Sequence, residues 1–233
     1  MQIFLDSADL AEIQNWLGQG VIDGVTTNPS VMLKDGVYDV QQGVRRIGAV
    51  LGKHPLSVEV TTNDLKKMVD QARAFSGWGP NIVVKIPVVN ESGESCLGVM
   101  NTLARERIAV NATAILSFNQ AMLAAKAGAT YVSIFAGRVA DEGNDPCVVI
   151  RNVRKWLDDW AHPAQIIVGS IRTLMDIQNA ALSGAHIITI PPQFIPKMVD
   201  HKYTRETVRQ FNRDAAKALT EIEKAKDAVA SGD

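Results

Sequence analysis

No stretch of this sequence reaches the roughly 18 consecutive apolar residues of a membrane-spanning helix. Its opening, MQIFLDSADL, puts Asp6 and Asp9 where an export signal needs a basic segment followed by an apolar run. Neither a membrane partner nor secretion is expected, and the expected compartment is the cytoplasm. Cysteine is scarce: Cys96 and Cys147 have no metal-ligand spacing and are expected as free buried thiols in a reducing compartment. His54, His162, His186 and His201 are scattered, with no HxH or HExxH spacing, which argues against zinc-dependent chemistry. No metal and no cofactor are expected. A formal net charge of -1 offers no basic excess for nucleic acid. What is present is the make-up of an ordinary globular chain, 46% hydrophobic and 21% charged, with ample material for a core.

Short β-branched runs recur along the whole chain: IFLD at 3–6, GVTTN at 24–28, LSVEV at 56–60 and IVVKIP at 82–87, then IAVNATAI at 108–115, YVSIFA at 131–136, QIIVGS at 165–170 and HIITIP at 186–191. Between them lie segments with apolar residues at helical spacing and glycine near the end, such as TNDLKKMVDQARAFSG. Strands alternating with helices imply right-handed crossovers and a parallel sheet, and about eight such units in one chain imply a closed (β/α)8 TIM barrel. An open doubly wound sheet is the alternative. It is weakened because no GxGxxG or GxxxxGK[ST] follows a strand; GESCLG at 93–98 matches neither. The expected organisation is one barrel domain over residues 1–233, with about 204–230 as an additional, charged, amphipathic C-terminal helix. That helix either covers the barrel or packs on a neighbouring subunit.

Lys85 stands inside the apolar run NIVVKIPV, where an ammonium group has few partners and a large desolvation cost. Burial favours the neutral amine, which is a nucleophile toward carbonyls, so Lys85 is a candidate Schiff-base lysine. The competing reading is a snorkelling lysine or one paired with Glu59 or Asp6.

In such a barrel chemistry sits at the C-terminal strand ends. Those ends supply Asp6, Thr26, Thr27, Asn28, Glu59, Lys85, Asn111, Thr113, Ser133, Arg138, Ser170 and Arg172. Asp6 and Glu59 could move the protons of an imine cycle, or merely hold the lysine charged. Arg138 and Arg172, with Ser170, fall after the sixth and seventh strands, the usual phosphate-holding region, where a guanidinium fork suits an oxyanion. Thr27, Asn28, Asn111, Thr113 and Ser133 could hydrogen-bond sugar hydroxyls or a water, or serve as turn formers.

These residues sit in stretches that resemble the transaldolase family, and more closely its short bacterial branch, which includes fructose-6-phosphate aldolase. The stretches are FLDSAD at 4–9, DGVTTNPS at 23–30, VEV at 58–60, VVKIP at 83–87, NATAILSFNQA at 111–121, AGATYVSIFAGR at 127–138 and GSIR at 169–172, in the family's order over nearly the whole chain. The resemblance implies a class I transaldolase that moves a dihydroxyacetone unit from a ketose phosphate, such as fructose 6-phosphate or sedoheptulose 7-phosphate, to an aldose phosphate. It implies Lys85 as the Schiff-base lysine, Asp6 as acid/base at the C4 hydroxyl, and Glu59 acting through a water held with Thr113. Asn28 and Ser133 would bind the dihydroxyacetone end, Asn111 would support Lys85 and Thr113, and Arg138, Ser170 and Arg172 would hold the phosphate. Glu59 and Phe135 stand where the aldolases carry glutamine and tyrosine, which favours transfer over release of free dihydroxyacetone. Two departures, Gly169 before Ser170 and a longer loop at 88–98, are expected near the substrate's outer end. A sulfonated ketose presents a similar oxyanion and stays open as donor. The resemblance also implies a homo-oligomer, a pentamer or decamer.

Overall fold

A computed structural model describes residues 1–231. The chain forms two compact units, Met1–Pro192 and a second beginning at Gln193. The first is the expected (β/α)8 TIM barrel: β1 (Gln2–Asp6), β2 (Gly24–Thr26), β3 (Leu56–Glu59), β4 (Ile82–Pro87), β5 (Val110–Ile115), β6 (Tyr131–Phe135), β7 (Gln165–Gly169) and β8 (Ile187–Ile190) close in sequence order. Every pairing is parallel, including that of β8 with β1.

Helices α1 (Leu10–Gly18), α2 (Pro29–Lys34), α3 (Val40–Leu51), α4 (Leu65–Ser76), α5 (Leu97–Arg105), α6 (Phe118–Lys126), α7 (Ala136–Asp141), α8 (Pro146–Asp159) and α9 (Leu174–Leu182) connect the strands. Their starts are written locally. Asp9, Asn28, Asp39, Asp64, Ser117, Asp145 and Thr173 each cap a helix by accepting hydrogen bonds from first-turn N–H groups, and Thr173 with Asp176 completes a capping box. Each long helix turns an apolar stripe inward, as Met68, Ala72 and Phe75 do on α4.

Side chains alternate along a strand, so residues two apart share the barrel interior. Toward the N-terminal ends of the strands, Phe4, Ile167 and Ile187 pack together, joined by Tyr131 in an edge contact with Phe4 at 6.3 Å between ring centres. Gly24 makes room for that plug, since a Cβ there would lie 2.7 Å from the Phe4 ring. Two residues further along the same strands the interior turns polar.

The second unit holds α10 (Ile195–Val199) and α11 (Lys202–Ser231). The expected C-terminal helix is therefore present, starting slightly earlier than its charged pattern indicates. Its apolar residues, among them Phe211, Leu219, Ile222 and Val229, are exposed. The two cysteines are free, but only Cys96 is buried. Cys147 is half-buried because it lies in the first turn of α8, away from that helix's buried stripe of Ile150, Val153 and Leu157. No helix among the described residues is long and apolar enough to cross a membrane.

Candidate active site

The strand register sets Glu59, Lys85 and Asn111 side by side at the mouth of the barrel, and Asp6 beside Thr26. Lys85 is 6% exposed. Its Nζ donates to the Thr27 carbonyl at 3.0 Å and lies 3.0 Å from Glu59 Oε2. The ammonium is thus paired with a carboxylate, as one of the two readings of the sequence required. The pairing leaves a proton acceptor in direct contact with the amine, while Glu59 keeps part of its side chain in solvent.

The Thr27 hydroxyl donates to the Ser57 carbonyl at 2.8 Å, and its side chain is fully buried. Its hydroxyl is therefore committed to the sheet, and the group it presents to the site is the carbonyl that holds Lys85. Asn28 caps α2 by accepting from Val31 N–H at 2.9 Å, which leaves its NH2 end for the cavity that it lines. Asn111 is buried and satisfied at both ends: it donates to Ser57 Oγ at 3.1 Å and accepts from Ser133 Oγ at 2.6 Å. That chain of three side chains crosses the interior beside Lys85 and fixes the orientation of the Asn111 amide.

Thr113 behaves differently. β5 loses its regular pairing between Ala112 and Ile115, and Ala114 adopts φ +58°. A left-handed non-glycine residue costs roughly 1–2 kcal/mol, and such strain gathers at working sites. The hydroxyl of Thr113, just before this kink, is buried in the cavity wall with no hydrogen-bond partner among the described residues. A buried hydroxyl without a partner is costly, so this one is suited to a substrate or a water.

A cavity of about 170 Å³ opens at this end of the barrel. Asp6, Lys85, Asn111, Thr113, Ser133, Phe135, Arg138 and Ser170 are among the residues that line it. Asp6 accepts from Thr26 Oγ1 at 3.0 Å. Burial pushes the Asp6 carboxyl above the usual carboxylate range, against the opposing pull of Lys85 and the Thr26 hydrogen bond. An aspartate tuned upward in this way is a better proton acceptor than an exposed one.

The wall around Arg138 depends on a close backbone approach. Gly137 N–H donates to the Ser170 carbonyl at 3.2 Å, and a Cβ at position 137 would sit 2.3 Å from that oxygen. Ser170 has φ +60°. Arg138 is exposed and makes no ion pair among the described residues. Arg172 is placed differently from the sequence expectation: it does not line the cavity but grips both carboxylate oxygens of Asp141, which holds that carboxyl below its usual range. Asp141 lies one turn beyond Arg138 on α7, so the guanidinium fork finds a matched carboxylate there.

None of the residues of the loop at 88–98 lines the cavity. Asn90 gathers the loop on itself: its carbonyl oxygen accepts from Ser92 and Glu94 N–H, and its amide donates to the Asn63 carbonyl. Three residues that the sequence reading did not single out belong to the site. Ser57 anchors Asn111, Asp141 holds Arg172, and Thr189, which lines the cavity, contacts Thr26. Strand periodicity could have found Thr189, since it faces inward two residues after Ile187. Among the described residues no cluster of metal-binding side chains exists.

A model of the transaldolase/fructose-6-phosphate aldolase family matches residues 3–232. The chain belongs to this family. It is 40% identical over 214 residues to a probable transaldolase 2 of Listeria monocytogenes serovar 1/2a, covering 92% of this chain and 95% of that protein. It is 38% identical to a probable transaldolase of Dehalococcoides mccartyi, covering 92% and 97% of the two chains. Among solved structures, a mandelate oxidase variant superposes with a TM-score of 0.53 at 15% identity over 78% of this chain. This chain spans 59% of that one, and the likeness is one of fold alone.

Proposed function

We propose that the protein is a class I transaldolase in which Lys85 forms the imine. The observation that carries this reading is the position of Lys85: a buried amine at the strand ends, 3.0 Å from a carboxylate and facing a polar cavity. Glu59 takes the ammonium proton. The neutral amine then adds to the C2 ketone of a ketose phosphate, and loss of water leaves the imine. Asp6 removes the proton of the C4 hydroxyl as the C3–C4 bond breaks; the bonding electrons pass into the protonated imine, and an aldose phosphate leaves. The enamine on Lys85 adds to the carbonyl carbon of a second aldose phosphate, whose oxygen recovers the proton from Asp6. Hydrolysis frees the new ketose.

Ser133, Asn28 and Asn111 suit the hydroxyls of the three-carbon unit, and Thr113 suits the water that enters and leaves. Arg138 and Ser170 suit the phosphate, with Arg172 joining once it exchanges Asp141 for the substrate. No step needs a metal or a cofactor. The ring of Phe135 brings no proton donor to the cavity wall, which supports transfer of the three-carbon unit to an aldehyde over its release to water.

Turnover with and without an acceptor tests the reading. With fructose 6-phosphate and erythrose 4-phosphate, a seven-carbon ketose phosphate is expected, and with fructose 6-phosphate alone almost no turnover. Free dihydroxyacetone formed without an acceptor would reassign the protein as an aldolase. Turnover only of a sulfonated ketose would change the donor.

A further inference from the structure

Asp6 is flanked by β2 and β8, and each contributes one buried threonine. Thr26 is 3% exposed and Thr189 is 7% exposed. Thr26 Oγ1 lies 3.0 Å from Asp6 Oδ1 and 2.5 Å from Thr189 Oγ1, and all three residues line the cavity. A hydroxyl has a single proton to give. An ionised carboxylate only accepts, so the Thr26 proton points at Asp6. The short contact between the two hydroxyls must then be filled by the proton of Thr189. With Asp6 ionised, as the reaction needs it, Thr189 donates to Thr26 and Thr26 donates to Asp6. Polarisation along such a chain strengthens its last link.

We propose that Thr189 is a positioning residue which, through Thr26, holds Asp6 Oδ1 in place, leaves Oδ2 to meet the substrate hydroxyl, and favours the ionised carboxylate that the reaction needs. The proposal rests on the Schiff-base reading above. The other groups bearing on Asp6 are Lys85 from β4 and Lys34 from α2, which favour ionisation, and Asp35 after α2, which opposes it. Asp35 is occupied by the Ser7 hydroxyl and Ala8 N–H, each at 2.8 Å, and Glu59 by Lys85. Beside burial, which raises the Asp6 pKa most, the threonine chain is among the described residues the hydrogen-bonded influence whose removal changes no charge.

The test is the pH profile of kcat/KM for the wild type, Thr189→Val, Thr189→Ser and Thr26→Val, with borohydride trapping of the Lys85 imine on each. Removing a donor to the carboxylate raises the pH at which Asp6 ionises, so the acidic limb moves upward. A hydrogen bond to a charged group predicts a shift of roughly one pH unit or more for Thr26→Val, and about half a unit for Thr189→Val. Below the limb, kcat/KM of Thr189→Val is then about threefold lower than that of the wild type. Thr189→Ser, which keeps the hydroxyl, restores the wild-type limb, and all four proteins trap the imine. Superimposable limbs for Thr189→Val and the wild type overturn the proposal. So does an equal loss in Thr189→Ser, which would mean that the methyl packs and the hydroxyl is idle. A Thr189→Val shift without any shift in Thr26→Val overturns it as well, because among the described residues Thr189 reaches Asp6 through Thr26. Failure of the wild type itself to trap an imine at Lys85 is a different result: it removes the Schiff-base reading, and the proposal with it.

Discussion

On β1, β7 and β8 the inward residues Phe4, Ile167 and Ile187 form a dry floor, whereas two residues further along the same strands stand Asp6, Gly169 and Thr189. β6 repeats the change from Tyr131 to Ser133. One pleat, about 7 Å of strand, separates a region that holds the barrel together from one built to be reactive. The floor is plugged by the Phe4 ring, with Tyr131 packed edge-on against it. The mouth holds a buried ammonium, a carboxylate whose proton affinity is raised by burial, a hydroxyl with no partner among the described residues and, at Ala114 and Ser170, left-handed backbone. Polar burial and backbone strain both cost stability, so the floor's packing must offset what the mouth spends.

Substitutions on the two levels are therefore expected to separate activity from stability. Lys85→Met removes the amine and leaves a side chain of similar bulk. Steady-state assays should show kcat reduced by at least roughly 10³-fold, while the melting temperature moves by only a few degrees.

Asp6→Asn should lower kcat by roughly 10²- to 10⁴-fold, and it should also stabilise the fold at neutral pH. The sign follows from the raised Asp6 pKa. The folded chain holds that proton more tightly than the unfolded one, so the associated stability is fully present below the unfolded pKa and is lost as pH rises through the folded pKa. An asparagine imitates the protonated form. Thermal melts should show the variant ahead of the wild type at pH 8, with the gap closing toward pH 4.

Phe4→Ala breaks the floor. Chemical denaturation should show a loss of about 3–5 kcal/mol, with kcat per folded molecule changed only a few-fold. Asp141→Asn releases Arg172 for the substrate anion. Solvent screens so exposed an ion pair, so KM for the phosphorylated donor should fall by no more than about fivefold, with kcat unchanged. A rise in KM would mean that Asp141 presents Arg172 to the substrate instead of competing for it.

The floor and the mouth were not equally legible. Each strand is a β-branched run covered on both faces, so the eight units and their closure could be read from spacing alone. Lys85 was conspicuous because an ammonium contrasts with VVxIP around it. Thr189 was not, because threonine is β-branched and sits among the isoleucines of IITI as an ordinary strand residue. The commitment of the Thr27 hydroxyl to Ser57 depends on how β2 meets β3, which no local pattern records. The grip of Asp141 on Arg172 joins residues from α7 and from the turn after β7, and only the closed barrel brings them together. The left-handed turns at Ala114 and Ser170 carry no glycine to announce them. The loop at 88–98, longer than the family pattern, holds its polar residues mainly to one another and to Asn63, and those contacts are not written in its length.

The account stands most directly on the reactivity of one side chain. Incubation of the wild-type protein with fructose 6-phosphate and borohydride, followed by peptide mass mapping, should place a reduced three-carbon adduct on Lys85. An adduct on another lysine, or none with either a phosphorylated or a sulfonated ketose, would contradict it and leave Lys85 as the buried partner of Glu59.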